Sequence, residues 1–163
     1  TWEADIDRAK NTIDNFQGLP FRQQNIREIN GVQFINDTTS TTPVATQKAI
    51  DTFSNLPVVL ILGGNSKNLP SEDLFKLLDK INKIILLKGS FTDEIRSQLE
   101  NVYSSKIVGE YGNLEEATIS AYQEAKKLGK SYVLFSPGAT SFAMFKNEFD
   151  RGRLFNSIVE NLK

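Results

Sequence analysis

Apolar residues recur along the chain in two alternating rhythms, helical stripes with a period near 3.6 and short continuous runs, and together these predict most of its elements. Ile6, Ala9, Ile13 and Phe16 fall on one face of an opening amphipathic helix that ends near Gly18-Leu19-Pro20. A hairpin follows, with Asn25 to Ile29 as one arm, Asn30-Gly31 as the turn and Val32 to Ile35 as the other arm. Beyond it, helices and strands alternate. A helix from about Pro43 to Phe53, with proline in its first turn, leads to a strand from Val58 to Leu62. Ser71 is positioned to cap a helix through Leu74, Leu77 and Leu78, and Lys83 to Leu87 reads as a strand. Phe91 to Leu99 reads as a helix capped by Ser90 or Thr92, and Lys106-Ile107-Val108 as a short strand. Leu114, Ala117, Ala121, Tyr122, Ala125 and Leu128 draw a helical stripe that stops at Gly129, and Ser131 to Phe135 is the last strand. From Ser141 onward the spacing fits one long helix or a pair interrupted at Gly152, with Phe142, Phe145 and Phe149 expected in the core.

Strands that are apolar throughout and are each followed by a helix belong to parallel sheets covered on both faces. The predicted fold class is α/β, a doubly wound, mostly parallel sheet of about six strands with helices on both faces and an N-terminal hairpin. At 163 residues the chain corresponds to a single domain, 1–163. In such a sheet ligands bind beyond the carboxyl ends of the strands, which directs attention to the loops after Ile35, Leu62, Leu87, Val108 and Phe135.

Composition removes whole chemistries. With zero Cys and zero His, the chain has no disulfide, thiolate nucleophile, imidazole metal ligand or Ser-His-Asp triad. Acid, base or electrostatic work falls to Asp, Glu, Lys, Arg, Tyr or the backbone. A net charge of −1 with scattered basic residues predicts no nucleic-acid partner, and no apolar run is long enough to span a bilayer. The expected location is the cytoplasm, with no membrane contact. A first residue of Thr1 fits a piece of something longer.

Three loops carry unusual polar content. Asn36-Asp37-Thr38-Thr39-Ser40-Thr41-Thr42 places one carboxylate and five hydroxyls ahead of a helix N-terminus, more than capping requires, which favours a ligand loop. Gly63-Gly64-Asn65-Ser66-Lys67 allows close backbone approach and adds a cation, although a plain tight turn explains the glycines equally well. It lacks the spacing of a phosphate-binding P-loop. Ser136-Pro137-Gly138-Ala139-Thr140-Ser141 leaves room for a ligand and presents Ser141 as a helix cap, a ligand hydrogen bond, or both.

In this order the loops resemble the C-terminal domain of the Mur ligases, most closely the D-glutamate-adding branch. The resemblance runs through Phe16-Gln17-Gly18-Leu19-Pro20 with Arg22, Asn30-Gly31-Val32, Ile35-Asn36-Asp37-Thr38 and Leu62-Gly63-Gly64 with Lys67. It continues through Ser136 to Phe142, Phe145-Lys146-Asn147 and Asp150-Arg151-Gly152. It implies a Rossmann-like domain of an enzyme that uses ATP and Mg²⁺ to form an acyl phosphate on UDP-N-acetylmuramoyl-L-alanine. D-glutamate then attacks to give an amide in peptidoglycan precursor synthesis. The N-terminal and central ATPase domains of the same polypeptide lie outside this chain, so the isolated domain is expected to be inactive and monomeric. Carried over position by position, Lys67, Thr41, Ser141 and Phe142 would hold D-glutamate, while Arg22, Asp37 and Asn36 would meet the nucleotide. No catalytic residue and no metal ligand is expected within the domain itself. Phe21, Thr39 and Glu148 depart from the family pattern, where His, Lys and an aromatic residue are common, and Asn65-Ser66 replaces an acidic-Gly pair. Two other readings stand beside this one: a free-standing anion- or nucleotide-binding module, and the corresponding domain of another Mur or folylpolyglutamate-type ligase.

Overall fold

The apolar run at the centre of the chain becomes the centre of the sheet. Strand β3 (Val58–Gly63) is buried along its whole length. Parallel neighbours flank it, β6 (Ser131–Phe135) on one side and β4 (Lys83–Leu87) on the other. The computed structural model describes residues 5–16, 18–141 and 145–163. Its six-stranded sheet has the order β1-β2-β6-β3-β4-β5, parallel except for β1 (Gln24–Ile29), which pairs antiparallel with β2 (Val32–Asn36). Asn30 and Gly31 join that hairpin with φ of 52° and 82°, the left-handed pair that matches the twist of its strands.

Two apolar layers cover the sheet. One is built on α2 (Pro43–Phe53), α3 (Glu72–Leu77) and α4 (Ser90–Tyr103), which place Ile50, Leu74, Phe91 and Leu99 against Leu60, Leu62 and Leu86. The other is built on α5 (Leu114–Lys127) and α6 (Glu148–Asn161), whose Ala117, Ala121, Phe155 and Val159 meet Phe34, Ile61, Val133 and Phe135. Each fully buried Leu, Ile or Phe among them contributes about 1.5–3 kcal/mol of transfer free energy. From β2 the chain steps outward to β3, β4 and β5, then returns through α5 to insert β6 between β2 and β3. The carboxyl ends of β2, β6 and β3 therefore lie side by side where the winding reverses, the place where open α/β sheets bind ligands.

Several expectations change in detail. Helix α1 (Ile6–Asp14) forms as its periodicity predicts, but it buries none of its residues, and Ile6, Ile13 and Phe16 stand exposed. Strand β5 (Ile107–Tyr111) begins at Ile107 because Lys106 ends a short 3-10 turn. Ser71 stands at the start of α3 without donating or accepting a capping bond. Helix α4 starts at Ser90 after Gly89, so neither Ser90 nor Thr92 caps it: the Thr92 hydroxyl instead donates to the Leu87 carbonyl. The C-terminal stretch is a single helix capped by Asn147, which displaces Ser141 from any capping role. Gly152 does not interrupt it: the residue lies inside the helix, and a side chain there would come within 2.6 Å of the Phe21 ring and the Thr38 methyl. Of the three phenylalanines expected in the core, Phe145 is half-buried, Phe149 is exposed, and Phe142 lies outside the described residues. Among the described residues, no helix is long and apolar enough to cross a membrane.

Gly63 has φ 124°, and a Cβ there would run into the Leu87 carbonyl and the Thr92 hydroxyl. Gly63→Ala is expected to destabilise the domain by about 3 kcal/mol or more. Urea unfolding monitored by circular dichroism measures it, and a change below about 1 kcal/mol would contradict this packing.

Candidate functional site

The loops beyond β2, β6 and β3 are sewn together by main-chain hydrogen bonds. The Gly138 amide donates to the Ser40 carbonyl (2.9 Å), joining the β6 loop to the β2 loop. The Gly63 amide donates to Pro137 (2.9 Å), and Asn65 and Thr140 exchange amide-to-carbonyl bonds of 3.1 and 2.9 Å, joining the β6 loop to the β3 loop. The β3 loop is tied in turn to α4. The Phe91 amide donates to Gly64, the Ser66 amide to the Ser90 hydroxyl, and the Ser66 hydroxyl to Glu94 (2.6 Å). Gly64 and Gly89 tolerate this crowding because neither has a side chain, and both adopt positive φ.

Within that frame most of the polar β2 loop turns inward. The Asn36 amide donates to the Gly152 carbonyl and to Asn156, while its oxygen accepts from the Thr38 amide. The Thr39 hydroxyl donates to Phe21, and Thr42 caps α2 through the Ala45 amide. The Asp37 carboxylate accepts from the Gln23 amide (3.1 Å) and from the Ser136 hydroxyl (2.7 Å), whose oxygen also lies 3.0 Å from the Thr46 hydroxyl. Burial raises the Asp37 pKa above the usual carboxylate value, and the bonds from Ser40, Ser136 and Gln23 and the charge of Arg22 hold the rise back. The surplus of polar side chains beyond helix capping is thus largely internal.

Thr41 is the exception. Its hydroxyl accepts a 2.9 Å hydrogen bond from Lys67 Nζ, which joins the β2 and β3 loops at the surface. Among the described residues, Lys67 has no carboxylate within 4 Å. Ser141, on the adjoining β6 loop, is 4% exposed, and its hydroxyl is the one buried side-chain polar atom without a partner among the described residues. An orphaned buried hydroxyl costs about 1–3 kcal/mol, which a bound acceptor would offset. The structure therefore brings Thr41 and Lys67 into contact and leaves Ser141 ready to donate. A cation, a second hydroxyl and the N-terminus of α2 suit a carboxylate.

The residues expected at a nucleotide divide. Arg22 is exposed, on a turn where Phe21 and Gln23 adopt φ of 63° and 47°. That turn is held by the Phe21 amide on Gln24 Oε1 and by the Thr39 amide on the Phe21 carbonyl. Asn36 and Asp37, by contrast, are at most 1% exposed, with their polar atoms committed inside, and they shape the loop. Beside Arg22, Phe21 and Phe149 meet edge to face with centroids 6.1 Å apart and line a cavity of about 370 Å³ with Leu19, Pro20 and Thr39. Among the described residues, no cluster of three Asp or Glu could hold a metal ion.

No protein-family model matches the chain. Over 95% of its length it is 37% identical to the UDP-N-acetylmuramoylalanine–D-glutamate ligase of Roseiflexus, and over 91% it is 38% identical to that of Aquifex aeolicus. The chain is a Mur ligase homologue. It spans about a third of the length of the curated relatives it matches. Its fold is likewise that of part of the UDP-N-acetylmuramate-alanine ligase MurC from Thermotoga maritima, with TM-score 0.65 and 15% identity over 98% of this chain and 34% of that one. A MurF ligase from the same organism, solved with ADP, matches with TM-score 0.56 and 18% identity over 95% of this chain and 36% of that one.

In the sequence Arg151 stands out only as part of Asp150-Arg151-Gly152. The structure makes it the largest fully buried side chain, under the β2 and β6 loops. Ser90, expected as a cap of α4, instead accepts from the Ser66 amide, and Glu94, which carries no signal in the sequence, accepts from the Ser66 hydroxyl, so both hold the Lys67 loop.

Because the folded-state pKa of Asp37 lies above its unfolded value near 3.8, its contribution to stability is fully present below that value and is lost as pH rises through the folded pKa. The stability of the wild type relative to Asp37→Asn should therefore fall as pH rises from 3 to 7. Chemical denaturation across that range tests it, and a difference that stays flat or grows with pH contradicts the burial of this carboxyl.

Proposed function

We propose that this chain is the C-terminal, amino-acid-holding domain of a D-glutamate-adding Mur ligase. The observation that carries the reading is the pairing of Lys67 Nζ with the Thr41 hydroxyl, together with the unpartnered Ser141 hydroxyl on the β6 loop that is bonded to both of their loops, where the winding of the sheet reverses. The side-chain carboxylate of D-glutamate would accept from Lys67, Thr41 and Ser141, with Phe142 on the following segment. Holding that carboxylate fixes the direction in which the amino group points, and orientation of this kind is the main way such a domain speeds an amide-forming step. The relatives named as D-glutamate ligases support the choice of amino acid.

ATP supplies an activated acyl phosphate on UDP-N-acetylmuramoyl-L-alanine in this reaction. The residues of this chain fit a part in holding the nucleotide: Arg22 is exposed on a fixed turn, with no carboxylate within 4 Å among the described residues, and is free to reach a phosphate. Asn36 and Asp37 contribute by fixing the loop that carries Thr41, and the Gln23 amide bond to Asp37 links that loop to the Arg22 turn. The described residues hold no cluster of three carboxylates, and Mg²⁺ would be held mainly by the nucleotide phosphates and the central domain. The central ATPase domain of the same polypeptide would supply the P-loop and close against this face in the cytoplasm.

Lys67→Ala in the intact ligase should raise KM for D-glutamate and lower kcat/KM about 10- to 100-fold, with the domain still folded. Steady-state kinetics with D-glutamate as the varied substrate checks it, and unchanged kinetics would refute the assignment.

A further inference from the structure

We propose that Arg151 is the positioning residue of the carboxylate clamp and carries a buried positive charge, without a carboxylate partner, bonded to two of the loops that form it. The proposal rests on the clamp reading and extends it to a residue that touches neither substrate nor solvent. Arg151 is 1% exposed. Its Nε donates to the Thr38 hydroxyl (2.9 Å) and its Nη2 to the Thr38 carbonyl (2.8 Å), while both Nη atoms donate to the Ala139 carbonyl (3.2 Å each). One planar group thus ties the β2 loop, three residues before Thr41, to the β6 loop, two residues before Ser141. It also lies against the third loop, since a Cβ on Gly64 would stand 3.7 Å from Nη1.

The bonding leaves the charge unanswered. Every acceptor is neutral, and among the described residues no carboxylate oxygen comes within 4 Å of the guanidinium. The acidic group that acts on it is Glu148, three residues earlier on the same helix. Asp37, also in the β2 loop, is committed to Gln23 and Ser136. Burial accordingly lowers the Arg151 pKa to about 10, against the pull of Glu148. The ring of Phe135, 5.8 Å away, contributes its face but no negative charge. A buried guanidinium in this state is costly, and an anion seated over the loops it supports relieves that cost. Lysine would keep the charge but not the fork that spans two carbonyls.

The test is a nitrogen-15 NMR titration of the intact ligase with D-glutamate, and with D-glutamine as the ligand that lacks side-chain charge. The amides of Lys67 and Ser141 and the Nε–H of Arg151 should shift together with one Kd for D-glutamate, and more weakly for D-glutamine. Arg151→Lys, which keeps the charge but loses the fork, should bind D-glutamate about threefold to tenfold more weakly than the wild type, and Arg151→Met more weakly still, with the amides of α5 unmoved. Equal binding by Arg151→Met overturns the proposal while leaving the clamp standing. If Arg151→Met does not fold, the wild-type Nε–H decides, since a signal that stays still while Ser141 shifts overturns the proposal too. No shift at Lys67 or Ser141 in the wild type overturns the clamp reading and this inference with it.

Discussion

The main-chain seam at the carboxyl ends of β2, β6 and β3 is the constraint on which the rest of the site depends. A parallel sheet delivers these three loops to one edge, but adjacency alone gives no fixed geometry. Here backbone amides close the gaps, from Gly138 to Ser40, from Gly63 to Pro137 and between Asn65 and Thr140. Such close approach leaves no space for side chains at Gly63, Gly64 and Gly89, and all three adopt positive φ. Function and fold therefore compete for the same few residues. The glycines that resemble a ligand loop are glycines because other backbone passes over them.

The seam also explains why so few of the polar residues face outward. Each loop leaves the sheet with amides and carbonyls that need partners, and the side chains of Asn36, Asp37, Thr38 and Thr39 supply partners or occupy them. What remains is small: the Lys67–Thr41 pair and the Arg22 turn at the surface, and the buried, unpartnered Ser141 hydroxyl. Held on a rigid edge, a few groups can orient a dicarboxylate amino acid without any acid or base. This fits a chain with neither His nor Cys.

The fold was legible because periodicity reports burial. Continuous apolar runs marked β3 and β4 and a helical stripe marked α5, while Asn30-Gly31 marked the hairpin through backbone conformation alone. Legibility failed where the partner is distant in sequence. The stripe of α1 has the pattern of a buried face, yet that face is open in this chain. Ser141 read as a cap because serine before a helix usually is one, whereas the cap is Asn147, six residues later. Phe149 shares the helical spacing of a core residue but meets Phe21 on the surface, across more than a hundred residues of chain. In the site, Lys67, Thr41 and Ser141 could be singled out through the family resemblance, and their chemistry agreed with it. Asn36 and Asp37 could not be recognised as internal, because a polar residue next to a strand looks the same whether its partner is a ligand or the neighbouring loop. Arg151 showed no local signal, since its acceptors lie 12 and 113 residues away.

The central claim is that the edge formed by these three loops holds the side-chain carboxylate of an amino acid. A crystal structure of the intact ligase with bound D-glutamate tests it most directly. That carboxylate is expected at hydrogen-bonding distance, about 3 Å, from Lys67 Nζ, with the Ser141 hydroxyl donating to it and the seam unchanged. A carboxylate bound elsewhere, with the Ser141 hydroxyl still unpartnered, would contradict it.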